Sequence, residues 1–154
     1  MQHARNRRFA SLAAAALALF ALASTSALAQ QGASTGGLGQ SWPNATDVST
    51  SPRWHVYVFE RDGIRYVQVN DLGGKVRAAF ARSSGSFLAL PVGVDASRLA
   101  TPQEPLAATT QAGEIVYQDA TTTVLVSPQP DGTARVYAAD GDCKDPIECS
   151  SRAQ

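Results

Sequence analysis

Histidine and cysteine are scarce in this sequence, which has two residues of each type among 154. His3 lies in a segment that we expect to be removed, so His55 is the one histidine of the expected mature chain. With so few nitrogen and sulfur ligands, no zinc site, other metal site or cofactor is predicted. The motif G-x-S-x-G is absent and Gly73-Gly74 opens no helical pattern, so neither a nucleophile elbow nor a phosphate-binding loop is indicated. No catalytic residue is predicted.

A basic block is also missing. The whole sequence balances 13 Lys and Arg against 13 Asp and Glu, but Arg5, Arg7 and Arg8 lie in the N-terminal segment. Without those three, 10 basic residues face 13 acidic ones, a net charge of −3. A mildly acidic chain without a basic cluster is a poor candidate for binding nucleic acid or an anionic membrane. No nucleic-acid partner is predicted.

Long apolar runs are confined to the first thirty residues. The basic start is followed by the uncharged, Ala- and Leu-rich run 9–23 and then by Ala27-Leu28-Ala29. This order is that of a secretory signal peptide with cleavage before Gln30. A retained anchor is less favoured, because the apolar run is shorter than the roughly 20 residues that a membrane span needs. We therefore expect a periplasmic or secreted protein, with no membrane insertion after cleavage.

Alternating β-branched and aromatic residues begin at Trp54. The runs 54–60 and 64–70 flank Asp62-Gly63, a dipeptide typical of two-residue hairpin turns. In the register that this turn sets, Val58 pairs with Val67, and one face collects Trp54 and four valines. The opposite face carries the candidate binding residues His55, Tyr57, Phe59, Tyr66 and Gln68.

Further alternating runs predict an all-β fold. Residues 75–82 and 86–92 extend the hairpin into a four-stranded antiparallel meander, with Val76 on the valine face and Arg77 beside Gln68 if the intervening turn is even. Three more strands are predicted at 114–119, 121–127 and 133–138. No sustained helical period is present. The predicted fold is mostly antiparallel, a six- to seven-stranded meander curled into a small barrel or sandwich.

Composition divides the sequence into four segments. These are a signal peptide at 1–29, a flexible N-terminal arm at 30–52, a β domain at 53–139 and a C-terminal acidic tail at 140–154. The arm is rich in Gly, Ser, Thr, Gln and Asn, which favours flexibility. Trp42 is the exception, and we expect it to dock on the edge of its own domain rather than on a partner.

The acidic tail contains the two cysteines, Cys143 and Cys149. An even cysteine count in an exported protein predicts a structural disulfide, and the pair lacks the C-x-x-C spacing of redox-active thiols. The carboxylates of the tail are interpreted as solvated surface rather than as a Ca²⁺ site, because their spacing does not match an EF-hand loop. They are Asp140, Asp142, Asp145 and Glu148.

The aromatic face supports the leading functional hypothesis, an exported non-enzymatic binding or interaction module. Aromatic side chains with a polar rim are favoured in recognition surfaces, although the second half of the protein is the favoured alternative as a cover for this face. The partner is left open as a protein, including an inhibitor-like role, a glycan or a small ligand. The alternatives are an envelope component that self-assembles through edge strands and a small hydrolase-like enzyme using His55. For His55, a partly exposed strand position is favoured over a general base.

The stretch 41–93, which begins SWPNATDVSTSPRWHVYVFERDGIRYVQVND and has LPVG near its end, resembles small exported proteins of Gram-negative bacteria. The resemblance covers about a third of the chain. It implies a periplasmic or secreted β-rich protein. No activity, ligand or site residue is implied by it.

Overall fold

A computed structural model describes residues 37–152, so the predicted signal peptide lies outside the described residues. Ten strands, one turn of 3-10 helix and one short α-helix follow one another along this part of the chain. They are β1 (Trp54–Arg61), β2 (Ile64–Asp71), β3 (Val76–Ser83), β4 (Ser86–Leu90), the 3-10 turn (Ala96–Arg98), β5 (Leu99–Ala100), β6 (Leu106–Ala107), β7 (Glu114–Gln118), β8 (Thr122–Pro128), β9 (Ala134–Asp140), α1 (Pro146–Cys149) and β10 (Ser151–Arg152).

Strands β1 to β4 form the predicted antiparallel meander, called sheet 1 here. Asp62 and Gly63 both have positive φ, at 52° and 75°, as the two-residue turn requires. The predicted hairpin register is confirmed: Val58 lies opposite Val67 and Phe59 lies opposite Tyr66. A turn motif and a period-two pattern therefore suffice to place every side chain of β1 and β2 on its correct face.

The predicted register of β3 is wrong by one residue at its start. Asn70 pairs with Val76 and Val69 pairs with Ala78, so Arg77 is the extra residue of a β-bulge. Gln68 consequently lies opposite Ala79 rather than beside Arg77, and Val76 is displaced from the valine face. The guanidinium of Arg77 is buried, and its Nη2 lies 2.6 Å from the carboxylate of Asp95. This buried ion pair accounts for the orientation of Arg77, because a buried charge needs a partner.

The second sheet, sheet 2, has the order β5-β9-β8-β7. Its three long strands are those predicted from the second half of the sequence, and they pair antiparallel. The two-residue strand β5 adds parallel to β9, a pairing that the sequence did not predict. Strands β6 and β10 form a separate two-residue parallel pair.

Side chains of both sheets meet in one apolar core. Sheet 1 contributes residues such as Val56, Val67 and Phe80, and sheet 2 contributes residues such as Val124 and Val136, all with 0–1% of their surface exposed. Burying one such side chain stabilises a fold by about 1.5–3 kcal/mol. The fold is therefore mostly β with two four-stranded sheets, and the described strands form no closed barrel.

The end of the arm connects one edge of each sheet. The N–H of Val48 donates to the carbonyl of Val56 in β1, and the N–H of Thr50 donates to the carbonyl of Val116 in β7, both at 2.8 Å. These bonds occupy main-chain groups that an edge strand otherwise leaves open. They also hold residues 48–50 of the arm at the edges of the two sheets.

The C-terminal tail is held by its disulfide. Cys143 and Cys149 are bonded, as predicted, and the carboxylate of Asp145 accepts a hydrogen bond from the N–H of Ile147 at the start of α1. Within residues 37–152, no group of three or more His, Cys, Asp or Glu is placed to hold a metal ion. The same residues include no helix with the length and apolarity needed to cross a bilayer.

Candidate functional site

The five candidate binding residues lie on one face of sheet 1, which we call the outer face because it is turned away from the core. The confirmed register places His55, Tyr57 and Phe59 of β1 beside Tyr66 and Gln68 of β2. Three of them are buried: Gln68 is fully buried, Tyr57 is 5% exposed and Phe59 is 8% exposed. His55 and Tyr66 are half-buried.

The arm, not the second half of the protein, supplies polar contacts over this face. Gln68 accepts a hydrogen bond from the N–H of Gly39 at 2.6 Å and donates one to the carbonyl of Gln40 at 2.9 Å. Asn70, which is also fully buried, donates to the carbonyl of Ser41 at 2.8 Å. Two side-chain amides thus bind the main chain of the segment 39–41. While the arm is in place, Gln68 and Asn70 cannot contact a partner.

His55 belongs to a cluster that anchors the arm. Its Nδ1 lies 2.7 Å from Oδ2 of Asp47, and its ring meets the edge of the Trp42 indole at a centroid distance of 5.4 Å. Asp47 also accepts hydrogen bonds from the main-chain N–H groups of Ser49 and Val56. Burial raises the pKa of Asp47, but these hydrogen bonds and the nearby imidazole outweigh it, so the pKa of the carboxyl is lowered.

No nucleophile among the described residues is hydrogen-bonded to His55. Among the described residues, no hydroxyl or thiol forms a hydrogen bond with its imidazole, and Asp47 is its hydrogen-bond partner. A carboxylate can orient an imidazole in this way in a catalytic triad, but a triad also needs the nucleophile. Here the pair fixes Asp47 against β1.

Beyond the point where the arm leaves β1, no described segment pairs with the edge of this strand. In an antiparallel strand, the N–H and C=O of one residue point to the same side, and this side alternates along the strand. Val56 points outward, because its N–H and C=O are bonded to Asp47 and Val48 of the arm. Val58 and Glu60 therefore point outward as well. The bridge between Asp47 and Tyr57 turns the N–H of Val58 toward the carbonyl of Thr46 in the arm, whereas no described residue forms a hydrogen bond with the carbonyl of Val58 or with the main-chain groups of Glu60.

A groove of about 640 Å³ lies beside this open edge. Its β1 wall is formed by Val58, Phe59 and Glu60. Its arm wall is formed by Gly37, Gln40, Asn44 and Ala45. The arm pairs with β1 at an isolated antiparallel bridge between Asp47 and Tyr57. The groove begins where the arm residues that precede Asp47 in the sequence separate from the strand.

Glu60 also lines this groove, and its side chain, which lies on the valine face of β1, is held from one side. Its Oε1 accepts hydrogen bonds from Nε and Nη2 of Arg65, each at 3.2 Å. Nη1 of Arg65 in turn donates to Asp119 and to Thr121, two residues that follow strand β7 of sheet 2. No described residue forms a hydrogen bond with Oε2 of Glu60.

Asp119 is the centre of the contacts that hold Arg65. Burial raises the pKa of Asp119, but hydrogen bonds from Tyr117, Thr121 and Thr122 outweigh this effect and bring it to about 2. Burial, and after it the hydrogen bond to the Asp119 carboxylate, raise the pKa of Tyr117 to about 12. Asp119 is therefore ionised, and Tyr117 is neutral, across the physiological range.

The functional groups that are not predicted from the sequence are Asp47, Asn70, the carbonyl of Val58 and the main chain of Glu60. Asn70 had a visible signal, since an amide two positions from Gln68 lies on the same face of the strand. The open main-chain groups have no sequence signal, because they depend on where the arm leaves β1. Trp42 docks on its own domain, as expected: it contacts His55 and packs so tightly over Gly74 that a Cβ there would lie 2.6 Å from its ring.

The chain was compared with protein-family models, curated proteins and solved structures, and none of the three comparisons finds a match.

Proposed function

We propose that this protein is an exported, non-enzymatic binding module that takes an extended peptide segment as an added strand along the open edge of β1. One observation carries the proposal: the carbonyl of Val58 and the N–H and carbonyl of Glu60 point outward, without a described partner, at a strand edge that lines a groove of about 640 Å³. Strand addition supplies those groups with hydrogen bonds. The groove also falls within the roughly 300–1,000 Å³ of typical ligand sites.

The arm supports this mode of binding because it already pairs with the same edge. Asp47 bridges Tyr57 in the antiparallel sense, and the N–H of Val48 reaches the carbonyl of Val56 at 2.8 Å. An extended chain thus fits against β1 immediately before the groove. Of the candidate binding residues, Phe59 lines the groove, and His55 and Gln68 contact the arm that forms its opposite wall.

Two features support export. The sequence begins with a basic segment, an apolar run and Ala27-Leu28-Ala29, the order of a signal peptide. The described chain contains a disulfide, a bond that persists in oxidising compartments such as the periplasm and the extracellular space.

Peptide N-methylation tests the proposal. Random heptapeptides displayed on phage are selected against the full chain, and each selected peptide is resynthesised with one backbone N-methyl group at a time. Strand addition predicts that affinity, measured by fluorescence anisotropy, falls about tenfold at every second position, because each blocked N–H removes one main-chain hydrogen bond and introduces a clash. Tolerance of N-methylation at all positions, or failure to select any peptide, contradicts the proposal.

A matched pair of variants places the site on β1. Glu60→Pro removes an outward N–H at an edge position, where proline is tolerated, whereas Glu60→Gln keeps this N–H. We expect Glu60→Pro to lose peptide binding and Glu60→Gln to retain most of it, with equal thermal unfolding midpoints for the two. Sedimentation that shows dimers of the wild-type chain, abolished by Glu60→Pro, would instead assign the edge to a second copy.

A further inference from the structure

Among the described residues that line the groove, Glu60 alone carries a charge. Its side chain is 66% exposed, and both contacts from Arg65 go to one oxygen, Oε1. Oε2 accepts no hydrogen bond from any described residue. One carboxylate oxygen of this exposed side chain is therefore without a partner among the described residues.

The register decides which residue of an added strand meets this oxygen. Side chains of directly opposed residues in neighbouring strands lie on the same face, with Cβ atoms about 4.5–5.5 Å apart. Arg65 is opposed to Glu60 on the β2 side, and a residue of the added strand is opposed to it on the free side. A basic side chain at that position reaches Oε2 without displacing Arg65.

Neighbouring charges do not compensate Glu60 from the free side. Arg61 lies 3.3 Å from Asp62 at the tip of the hairpin, and Arg65 is shared between Glu60 and Asp119. The expected mature chain carries a net charge of −3. Both the local and the overall charge therefore favour a cationic side chain over an anionic one.

We infer that the peptide segment bound along β1 carries Lys or Arg at the position opposite Glu60. This inference rests on the proposed function, since it assigns the chemistry of the strand that the groove takes. A single open oxygen accepts either the ammonium of Lys or one N–H of Arg, so the inference covers both residues.

A charge-swap experiment tests it. The probes are the peptides selected from the random library, each resynthesised with Lys and with Glu at every position in turn, and titrated against the full chain. On the wild-type protein we expect one position at which Lys binds about two- to fivefold more tightly than Glu, the range of a cross-strand ion pair. In Glu60→Lys the preference at that position is expected to reverse, and in Glu60→Gln it is expected to vanish.

The control is Glu104→Lys, which changes the net charge equally at an exposed residue outside the groove. It is expected to keep the wild-type preference. Peptides that bind with period-two sensitivity to N-methylation but show no position-specific charge preference would overturn this inference and leave the proposed function standing. A preference lost equally in Glu104→Lys would also overturn it. If no peptide binds, the proposed function fails and takes this inference with it.

Discussion

Asp119 shows how one side chain stabilises the end of the molecule that holds Glu60. It accepts hydrogen bonds from the Tyr117 hydroxyl at 2.6 Å and from the main-chain N–H groups of Thr121 and Thr122 at 2.8 Å, and it pairs with Arg65 of sheet 1. Despite the opposing effect of burial, its pKa falls from 3.8 to about 2. A lowered pKa means that the ionised form is bound more tightly in the folded state than in the unfolded one.

The sign of this shift predicts a dependence on pH. Because the folded-state pKa lies below the unfolded value, ionised Asp119 stabilises the fold above pH 4, and this contribution is lost as the pH falls toward 2. After allowance for solvent screening, we expect Asp119→Asn to lower the free energy of unfolding by about 1–2 kcal/mol at pH 7. The difference from wild type, measured by urea unfolding, should shrink between pH 4 and pH 2.

Asp62→Asn is the control for this prediction. It removes an exposed carboxylate whose partner is the adjacent Arg61, and asparagine tolerates the positive φ of the turn. The free energy of unfolding should stay close to the wild-type value at pH 7. If Asp119→Asn loses no more stability than Asp62→Asn, or loses the same amount at every pH, the described role of Asp119 is wrong.

At the scale of elements, the arm and sheet 1 act together. The arm forms one wall of the groove, and its position depends on Gln68 and Asn70, on the Asp47–His55 pair and on Trp42. Removing the arm would leave the buried amides of Gln68 and Asn70 without these partners, a situation that is costly in a folded protein. These contacts explain how a segment rich in small polar residues keeps a defined position on the sheet.

Gly74→Ala tests how Trp42 holds the arm. An added Cβ at Gly74 would lie 2.6 Å from the Trp42 ring, so the indole has to move. We expect a changed indole N–H resonance and stronger acrylamide quenching for Trp42, which is already 59% exposed. Trp54 is 8% exposed and donates to Glu114, so its signals should not change.

Gly63→Ala is the matched control for the backbone. Gly63 and Gly74 have similar positive φ values, 75° and 80°, but a Cβ at Gly63 meets no atom within 4 Å. Both variants should lose about 1–2 kcal/mol of stability from the left-handed conformation. Only Gly74→Ala should alter Trp42. An identical Trp42 signal in the two variants would show that the indole does not depend on Gly74.

The limits of sequence reasoning are also clearest at this scale. The hairpin of β1 and β2 could be predicted residue by residue, because Asp62-Gly63 and the alternating pattern are local signals. The bulge at Arg77 could not, because it depends on the distant carboxylate of Asp95. The composition of the arm predicts flexibility, and its contacts with Gln68 and Asn70 form between residues about 30 positions apart.

At the scale of the whole molecule, the two sheets hold β1 in a fixed frame. One face of β1 packs on the shared core, and the N-terminal half of β1 is joined to β7 through the arm. The opposite end is tied by Arg65 to Asp119 and by Arg82 to Asp140. A rigid strand with a short open edge is suited to adding a peptide strand, because the protein loses little conformational entropy on binding.

Amide hydrogen exchange of the full chain tests whether β1 presents an open edge. In the free protein, we expect fast exchange at Glu60 and slow exchange at the alternating residues Tyr57 and Phe59, whose N–H groups point toward β2. Addition of a selected peptide should slow exchange at Glu60. Slow exchange at this amide in the free chain, or no change on peptide binding, would contradict the claim that β1 presents an open edge for an added strand.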